Sequence, residues 1–183
     1  MEINENQKVL RYVIRFTNKK TILQLIDSSL PSDITIIQVL STDLSKFGIL
    51  CGHSNVPCAY LSGLYFAKLI RAKFEIPNSI SPAQLPFSLF VDIDKKKSKE
   101  SQIIKAILRG STEGGLFSPE EKLGEIDDTY VFGEVLSSFM INTAKTKPEL
   151  YAKKFSQYIA KSVDPTTLPV LYHQVHDQIL SLT

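Results

Sequence analysis

Basic residues alternate with apolar ones in the segment VLRYVIRFTNKK near the start of the chain. Residues 8–20 contain five Lys or Arg residues and no Asp or Glu. If residues 9–16 form a strand, Arg11 and Arg15 lie on one face and apolar side chains lie on the other. Guanidinium groups can bind phosphate through paired hydrogen bonds and can stack on bases. The segment therefore indicates either an anion-binding hairpin or a solvated sheet edge whose charges discourage aggregation.

The pair of acids in FVDID is a second group of side chains that could take part in catalysis or metal binding. Asp92 and Asp94 come at the end of a predicted strand, and Asp27 ends another, so the three could hold metal ions for phosphodiester hydrolysis. However, lysines follow FVDID at once, and no Glu occupies a partnering place on the first predicted helix. The favoured interpretation is ordinary turn acids, and a metal-dependent, ribonuclease H-like nuclease is the alternative.

The cysteines, histidines and glycines do not form a complete site. Cys51, His53 and Cys58 lack the fourth ligand and the paired spacing of a zinc site, and no third group is identifiable that would orient a Cys–His nucleophile. The segment GSTEGG at 110–115 lacks the Lys-Ser/Thr that completes a phosphate-binding loop, and it predicts the end of a helix. We therefore expect no catalytic residue, no metal and no cofactor.

The composition is that of a globular protein, with 43% hydrophobic and 22% charged residues. The net charge is only +2, but residues 95–109 carry six bases against one acid, and residues 113–134 carry seven acids against one base. Such local fields govern association with a polyanion. A protein-docking loop is the alternative use of the acidic stretch 120–128. Two cysteines and the polar start MEINENQ lead us to expect a reduced, intracellular protein without a secretory signal.

The hydrophobic pattern predicts an α/β domain with the order β-β-β-α-β-α. The expected strands are 9–16, 21–26 and 34–40, joined as an antiparallel meander, and a buried strand at 87–93. A loop at 41–55 precedes a helix at 56–74, and a second helix at 102–108 is ended by Gly110, Gly114 and Gly115. Amphipathic segments at 132–143, 148–163 and 168–182 predict a C-terminal helical extension. We place the core domain at 8–116 and the acidic loop with the extension at 117–183.

Five segments, in this order along the chain, resemble a single protein family. They are RYVIRFTNKK, LSKFGILCGHSNVPCAYLSGLYFAKLI, FVDI, AILRGSTEGGLFSP and YAKKFSQYIAKSVDP. They resemble the large-subunit ribosomal protein family that binds 5S ribosomal RNA, in its archaeal–eukaryotic form. Each segment alone is weakly specific, whereas five in the right order make chance similarity improbable.

The resemblance implies a structural constituent of the large ribosomal subunit, not an enzyme, with a core of ribonuclease H-like topology. Such a protein anchors 5S rRNA in the central protuberance, beside the large-subunit rRNA and neighbouring ribosomal proteins. It would work on cytoplasmic ribosomes, with assembly in the nucleus if the protein is eukaryotic. Family members usually carry a basic arm and a basic tail that these 183 residues lack, so we expect fewer phosphate contacts.

The resemblance also implies which residues contact RNA. Lys and Arg would neutralise phosphates, while hydroxyl and amide side chains would bond to sugars and the RNA backbone. The implied contacts are Arg11, Arg15, Thr17, Asn18, Lys19, Lys20, Lys46, His53, Ser54, Asn55, Lys95, Lys96, Lys97 and Lys99.

Overall fold

The computed structural model describes residues 8–29, 31–93, 101–119 and 125–182. Within these ranges one sheet contains the strands β1 (Lys8–Phe16), β2 (Thr21–Asp27), β3 (Ile34–Leu40) and β4 (Phe87–Ile93), in the order β3-β2-β1-β4. The pairs β1–β2 and β2–β3 are antiparallel, whereas β4 runs parallel to β1. The meander and the mixed sheet confirm the α/β class predicted from the sequence.

Two helices follow the meander and alternate with β4: α1 (Val56–Lys73) precedes it and α2 (Gln102–Glu113) comes after it. The extension contains α3 (Asp128–Val131), α4 (Glu134–Thr146), α5 (Pro148–Lys154), α6 (Ser156–Ala160) and α7 (Leu168–Leu180). Short 3-10 helices occur at Ser41–Phe47, Pro82–Gln84 and Pro165–Thr167. Among the helices of these described ranges, none combines the length and the apolar character that a bilayer span requires.

The inner face of the sheet forms the core with α1 and α2. Leu10, Tyr12 and Ile14 of β1 are fully buried, and the Tyr12 hydroxyl lies 2.7 Å from that of Ser111 in α2. The two helices approach each other through glycines. A Cβ on Gly63 would lie 2.2 Å from the Ile107 carbonyl oxygen, and one on Gly110 would lie 2.1 Å from that of Tyr60. Only residues without a side chain permit this backbone-to-backbone contact.

Four of the differences between the predicted elements and the structure are informative. The loop predicted at 41–55 contains the 3-10 helix Ser41–Phe47, and the segment 148–163 breaks at Phe155 into α5 and α6. Of the three glycines predicted to end α2, Gly114 follows its last residue, whereas Gly110 lies inside the helix, where its missing side chain permits the packing against α1. The strand β4 is not buried on both faces, since Phe90 on its outer face is 61% exposed.

Candidate nucleic-acid interface

Arg11 and Arg15 lie on the outer face of the sheet, as the alternation predicts, and both bind Asp92. Arg11 donates to Asp92 Oδ2 at 2.6 Å and to Asp33 Oδ2 at 2.7 Å. Arg15 donates to Asp92 Oδ1 at 3.0 Å and to the Asp92 carbonyl oxygen at 3.0 Å. The hydrogen bond from Arg11, supported by that from Arg15, lowers the pKa of Asp92 against burial, which raises it. Both guanidinium groups are thus already paired with carboxylates.

The two described acids of the nuclease alternative lie on opposite faces of the sheet. Asp27 pairs across the strands with Leu10, which faces the core, whereas Asp92 pairs with Val13 on the outer face. Asp27 also forms an ion pair with Lys8 at 2.5 Å. Asp94 lies outside the described residues. Within the described part of the chain no group of three His, Cys, Asp or Glu residues is placed to hold a metal ion, so the nuclease alternative gains no support.

Acid should destabilise the fold through these two aspartates. The hydrogen bond from Lys8, followed by those from Ser29, lowers the pKa of Asp27 to about 2, and the pKa of Asp92 is lowered by Arg11. Both carboxyls therefore stay ionised in the folded chain at pH values where the unfolded chain takes up protons. The contribution of Asp27 to the free energy of unfolding is complete above about pH 4 and is lost as the pH falls through about 2, and the contribution of Asp92 is likewise lost as the pH falls.

Urea unfolding followed by circular dichroism between roughly pH 5 and pH 2 would measure this effect. Asp27→Asn and Asp92→Asn should each flatten the decline of the unfolding free energy with falling pH. An Asn18→Ala variant, which changes an exposed amide in the first turn, is the control and should keep the wild-type profile. The wild-type profile in both aspartate variants would contradict the ionic role of these carboxylates.

The turn between β1 and β2 exposes the side chains of Thr17, Asn18 and Lys19. The backbone N–H of Thr17 donates to the Lys20 carbonyl oxygen at 2.9 Å, and the Thr17 hydroxyl accepts from the Lys20 N–H at 3.0 Å. Neither Lys19 nor Lys20 forms an ion pair with any residue that the structure describes. Their ammonium groups are therefore available to an external anion on a turn of fixed backbone geometry.

Hydrogen bonds join this turn to the segment that precedes α1. The N–H of Thr21, at the start of β2, donates to the Ser41 hydroxyl at 3.0 Å. The Nδ1 of His53 lies 3.1 Å from the Ser41 carbonyl oxygen, so Nδ1 carries the proton of this bond. Burial lowers the pKa of His53, and the Ser41 hydrogen bond opposes that shift. His53 is therefore a neutral link between the hairpin and the loop at physiological pH, rather than a cation.

Lys46 and Ser54 are exposed on the same segment. Lys46 lies in the last turn of the 3-10 helix, which ends at Gly48 with a φ of 94°. It forms no ion pair with the described residues, and the acid of this helix, Asp43, accepts instead from the Leu40 N–H at 2.9 Å. We call the accessible set at this end of the sheet the hairpin–loop surface. It consists of Thr17, Asn18, Lys19, Lys20, Lys46 and Ser54.

Asn55, like His53, uses its side chain within the protein. Its Oδ1 accepts from the Cys58 N–H at 2.8 Å and caps α1. Its Nδ2 donates to the hydroxyls of Tyr158 at 3.1 Å and Tyr172 at 3.0 Å. Both amide donors are thus used within the fold. The sequence does not predict this network, because the two tyrosines lie 103 and 117 positions away along the chain.

Four predicted contacts, Lys95, Lys96, Lys97 and Lys99, lie outside the described residues. The strand that leads toward them, β4, ends at Ile93, which pairs with Ile14 of β1. This is the end of β1 that continues into the turn and the hairpin–loop surface. The four lysines remain predicted contacts.

Comparison with known proteins identifies relatives of the chain. A family model described as "Ribosomal large subunit proteins 60S L5, and 50S L18" matches residues 2–121. The chain is 27% identical to large ribosomal subunit protein uL18 of Saccharomyces cerevisiae, over 95% of this chain and 68% of that protein. It is 26% identical to uL18B of Schizosaccharomyces pombe, over 95% and 69% of the two chains. It is also 26% identical to uL18z of Oryza sativa subsp. japonica, over 95% and 66%.

Proposed function

The chain belongs to the family of ribosomal large subunit proteins 60S L5 and 50S L18, and from that premise we propose that it anchors 5S rRNA through the hairpin–loop surface. As a member of this family it is a structural constituent of the large ribosomal subunit. In the proposal its further partners are the large-subunit rRNA and neighbouring proteins of the central protuberance. Such a protein resides on cytoplasmic ribosomes, and its assembly into the particle takes place in the nucleus of a eukaryotic cell.

The unpaired lysines at one end of the sheet are the observation that carries this proposal. Lys19, Lys20 and Lys46 form no ion pair with described residues, whereas Arg11 and Arg15 do. An ammonium group without an internal partner can neutralise a phosphate without first breaking a contact in the protein. Phosphate contacts of this kind set the position of the protein on RNA and supply most of the electrostatic affinity.

The remaining predicted contacts take supporting roles in this proposal. Arg11 and Arg15 extend the surface along the outer face of the sheet, oriented by Asp92. His53 and Asn55 hold the loop in place through Ser41 and the two tyrosines. We include Lys95, Lys96, Lys97 and Lys99 as additional phosphate contacts, because they follow the strand that ends at this surface.

We also propose a ribonuclease H-like topology for the core at 8–116, with residues 117–183 as an extension. The strand order β3-β2-β1-β4, with β4 parallel to β1, supports this topology. The extension shares the hydrophobic core, since Met140 and Tyr172 belong to the same buried cluster as Leu10. The extension therefore adds to the RNA-binding core instead of folding around a separate centre.

Binding to purified RNA tests the proposed function. The full chain should bind 5S rRNA at least about 10-fold more tightly than transfer RNA at moderate salt, because shape and exposed loops add to the electrostatic term. The logarithm of the binding constant should fall against the logarithm of the salt concentration with a slope of about −2 or steeper, for three or more phosphate contacts. Filter binding from about 0.05 to 0.3 M KCl measures both quantities. Equal affinity for the two RNAs would overturn the proposal.

A further inference from the structure

Tyr158 joins the C-terminal extension to the loop that carries Ser54. Its hydroxyl accepts from Asn55 Nδ2 at 3.1 Å. The same hydroxyl lies so close to Gly52 that a Cβ there would be 1.9 Å from it. Burial raises the pKa of Tyr158 to about 12, so the hydroxyl is neutral at physiological pH. The helix α6 is therefore in direct contact with the loop through the side chain of Tyr158.

Lys161 follows Tyr158 by about one helical turn and is the residue at which α6 ends. Its N–H donates to the Gln157 carbonyl oxygen at 3.1 Å, and Val163 N–H returns to the Tyr158 carbonyl oxygen at 2.9 Å. Ser162, with a φ of 52°, turns the chain away. These bonds fix the backbone of Lys161 relative to Tyr158, while the side chain of Lys161 is exposed.

The ammonium group of Lys161 is electrostatically coupled to the loop and unpaired. Burial raises the pKa of the Cys51 thiol, and the positive charge of Lys161 opposes that shift. Lys161 forms no ion pair with a residue of the described ranges. The charge of Lys161 therefore acts on Cys51 of the loop, and no acid of the described residues pairs with it.

We propose that Lys161 and the loop 50–54 form a single binding surface for the sugar-phosphate backbone of RNA, which extends the hairpin–loop surface onto the C-terminal helices. Charge complementarity and continuity favour RNA as the occupant. Thr21, Ser41 and His53 link the hairpin to the loop, and Tyr158 links the loop to Lys161. Four unpaired lysines thus lie along one connected set of elements, and a polyanion of repeating phosphates matches that arrangement.

This inference rests on the proposed 5S rRNA binding, and a single-residue change tests it. Lys161→Met keeps an unbranched side chain of similar length and removes its charge. The affinity for 5S rRNA at about 0.1 M KCl should fall about 5- to 10-fold, and the salt slope should become shallower by about 0.7 to 0.9, as expected for one lost phosphate contact. Equilibrium filter binding over the same salt range measures both values.

Lys73→Met is the matched control. Lys73 is exposed at the last residue of α1, whereas Asn55 caps its first turn. An 18-residue helix separates the two ends by about 27 Å. The control should change the affinity less than about 2-fold, which is the scale of a purely long-range charge effect. Both variants should keep the wild-type circular dichroism and melting temperature, because both side chains are exposed.

The outcomes separate this inference from the proposed function. If the wild-type chain shows no preference for 5S rRNA, the proposed function itself fails. If the wild type binds and Lys161→Met retains the full affinity and slope, Lys161 does not contact RNA and the inference is overturned. That second result would leave an acidic protein segment as the partner of Lys161. Equal losses in Lys161→Met and Lys73→Met would also overturn the inference, because net charge would then explain the effect.

Discussion

Reversing both charges of the first turn, in Lys19→Glu with Lys20→Glu, should weaken 5S rRNA binding at least about 100-fold at about 0.1 M salt. Two lost phosphate contacts account for a factor of about 25 to 60, and the two new carboxylates add repulsion from the same phosphates. The fold should be preserved. The turn is held by the Thr17 backbone and hydroxyl, not by the lysine side chains.

A matched reversal separates local contact from total charge. Lys68→Glu with Lys73→Glu changes the net charge equally, but these residues lie in the C-terminal half of α1, far from its capped start. Filter binding should show the large loss only for the turn variant, and thermal unfolding should show that both proteins remain folded. Similar losses in the two double variants would mean that RNA responds to net charge, not to the hairpin–loop surface.

Gly110→Val should destabilise the fold by roughly 3 kcal/mol or more. Overfilling a packed core costs typically about 1–3 kcal/mol, and the cost rises when the neighbour is backbone that cannot change rotamer. At Gly110 a Cβ would meet the Tyr60 carbonyl oxygen at 2.1 Å and the Leu64 nitrogen at 2.8 Å, both in the backbone of α1. The valine therefore has to push α2 away from α1 where the two backbones pack directly against each other.

Urea unfolding gives the free energy for this variant and its controls. Gln102→Val places the same residue at an exposed position in the first turn of α2, and it should change stability by less than about 1 kcal/mol. Gly110→Ala should fall between the two, because better helix propensity offsets up to about 1 kcal/mol of the clash. Wild-type stability in Gly110→Val would show that the two helices do not meet as closely as described.

Local patterns predict the strands and the start of α1 well. The alternation over residues 9–16 gives the first strand of the hairpin, and the helix predicted to begin at residue 56 does begin at Val56. The same local logic is right for Gly114, which follows α2, and wrong for Gly110, which lies inside it. Glycine ordinarily predicts a helix end, but the role of Gly110 depends on a partner 50 positions earlier in the chain, Tyr60. Packing between distant segments decided the outcome.

In the candidate site, too, local patterns are predictable from the sequence and contacts between distant segments are not. The sequence places Arg11 and Arg15 on an outward face, but it does not reveal that Asp92 lies between them, since that depends on the parallel pairing of β1 with β4. This pairing also changes the design of experiments. Reversing both arginines would surround Asp92 with two further carboxylates and disturb the sheet, so the lysines of the turn provide the cleaner test.

Asp92 also determines how an RNA phosphate would approach the arginine pair. The donors that point to its carboxylate are already occupied at 2.6 Å and 3.0 Å. A phosphate that approaches Arg11 and Arg15 has to compete with the Asp92 carboxylate. Binding there therefore exchanges one anionic partner of the guanidinium groups for another. Because Asp92 already neutralises the arginine pair, we expect this part of the sheet to contribute less to the salt dependence of RNA binding than the lysine-rich turn does.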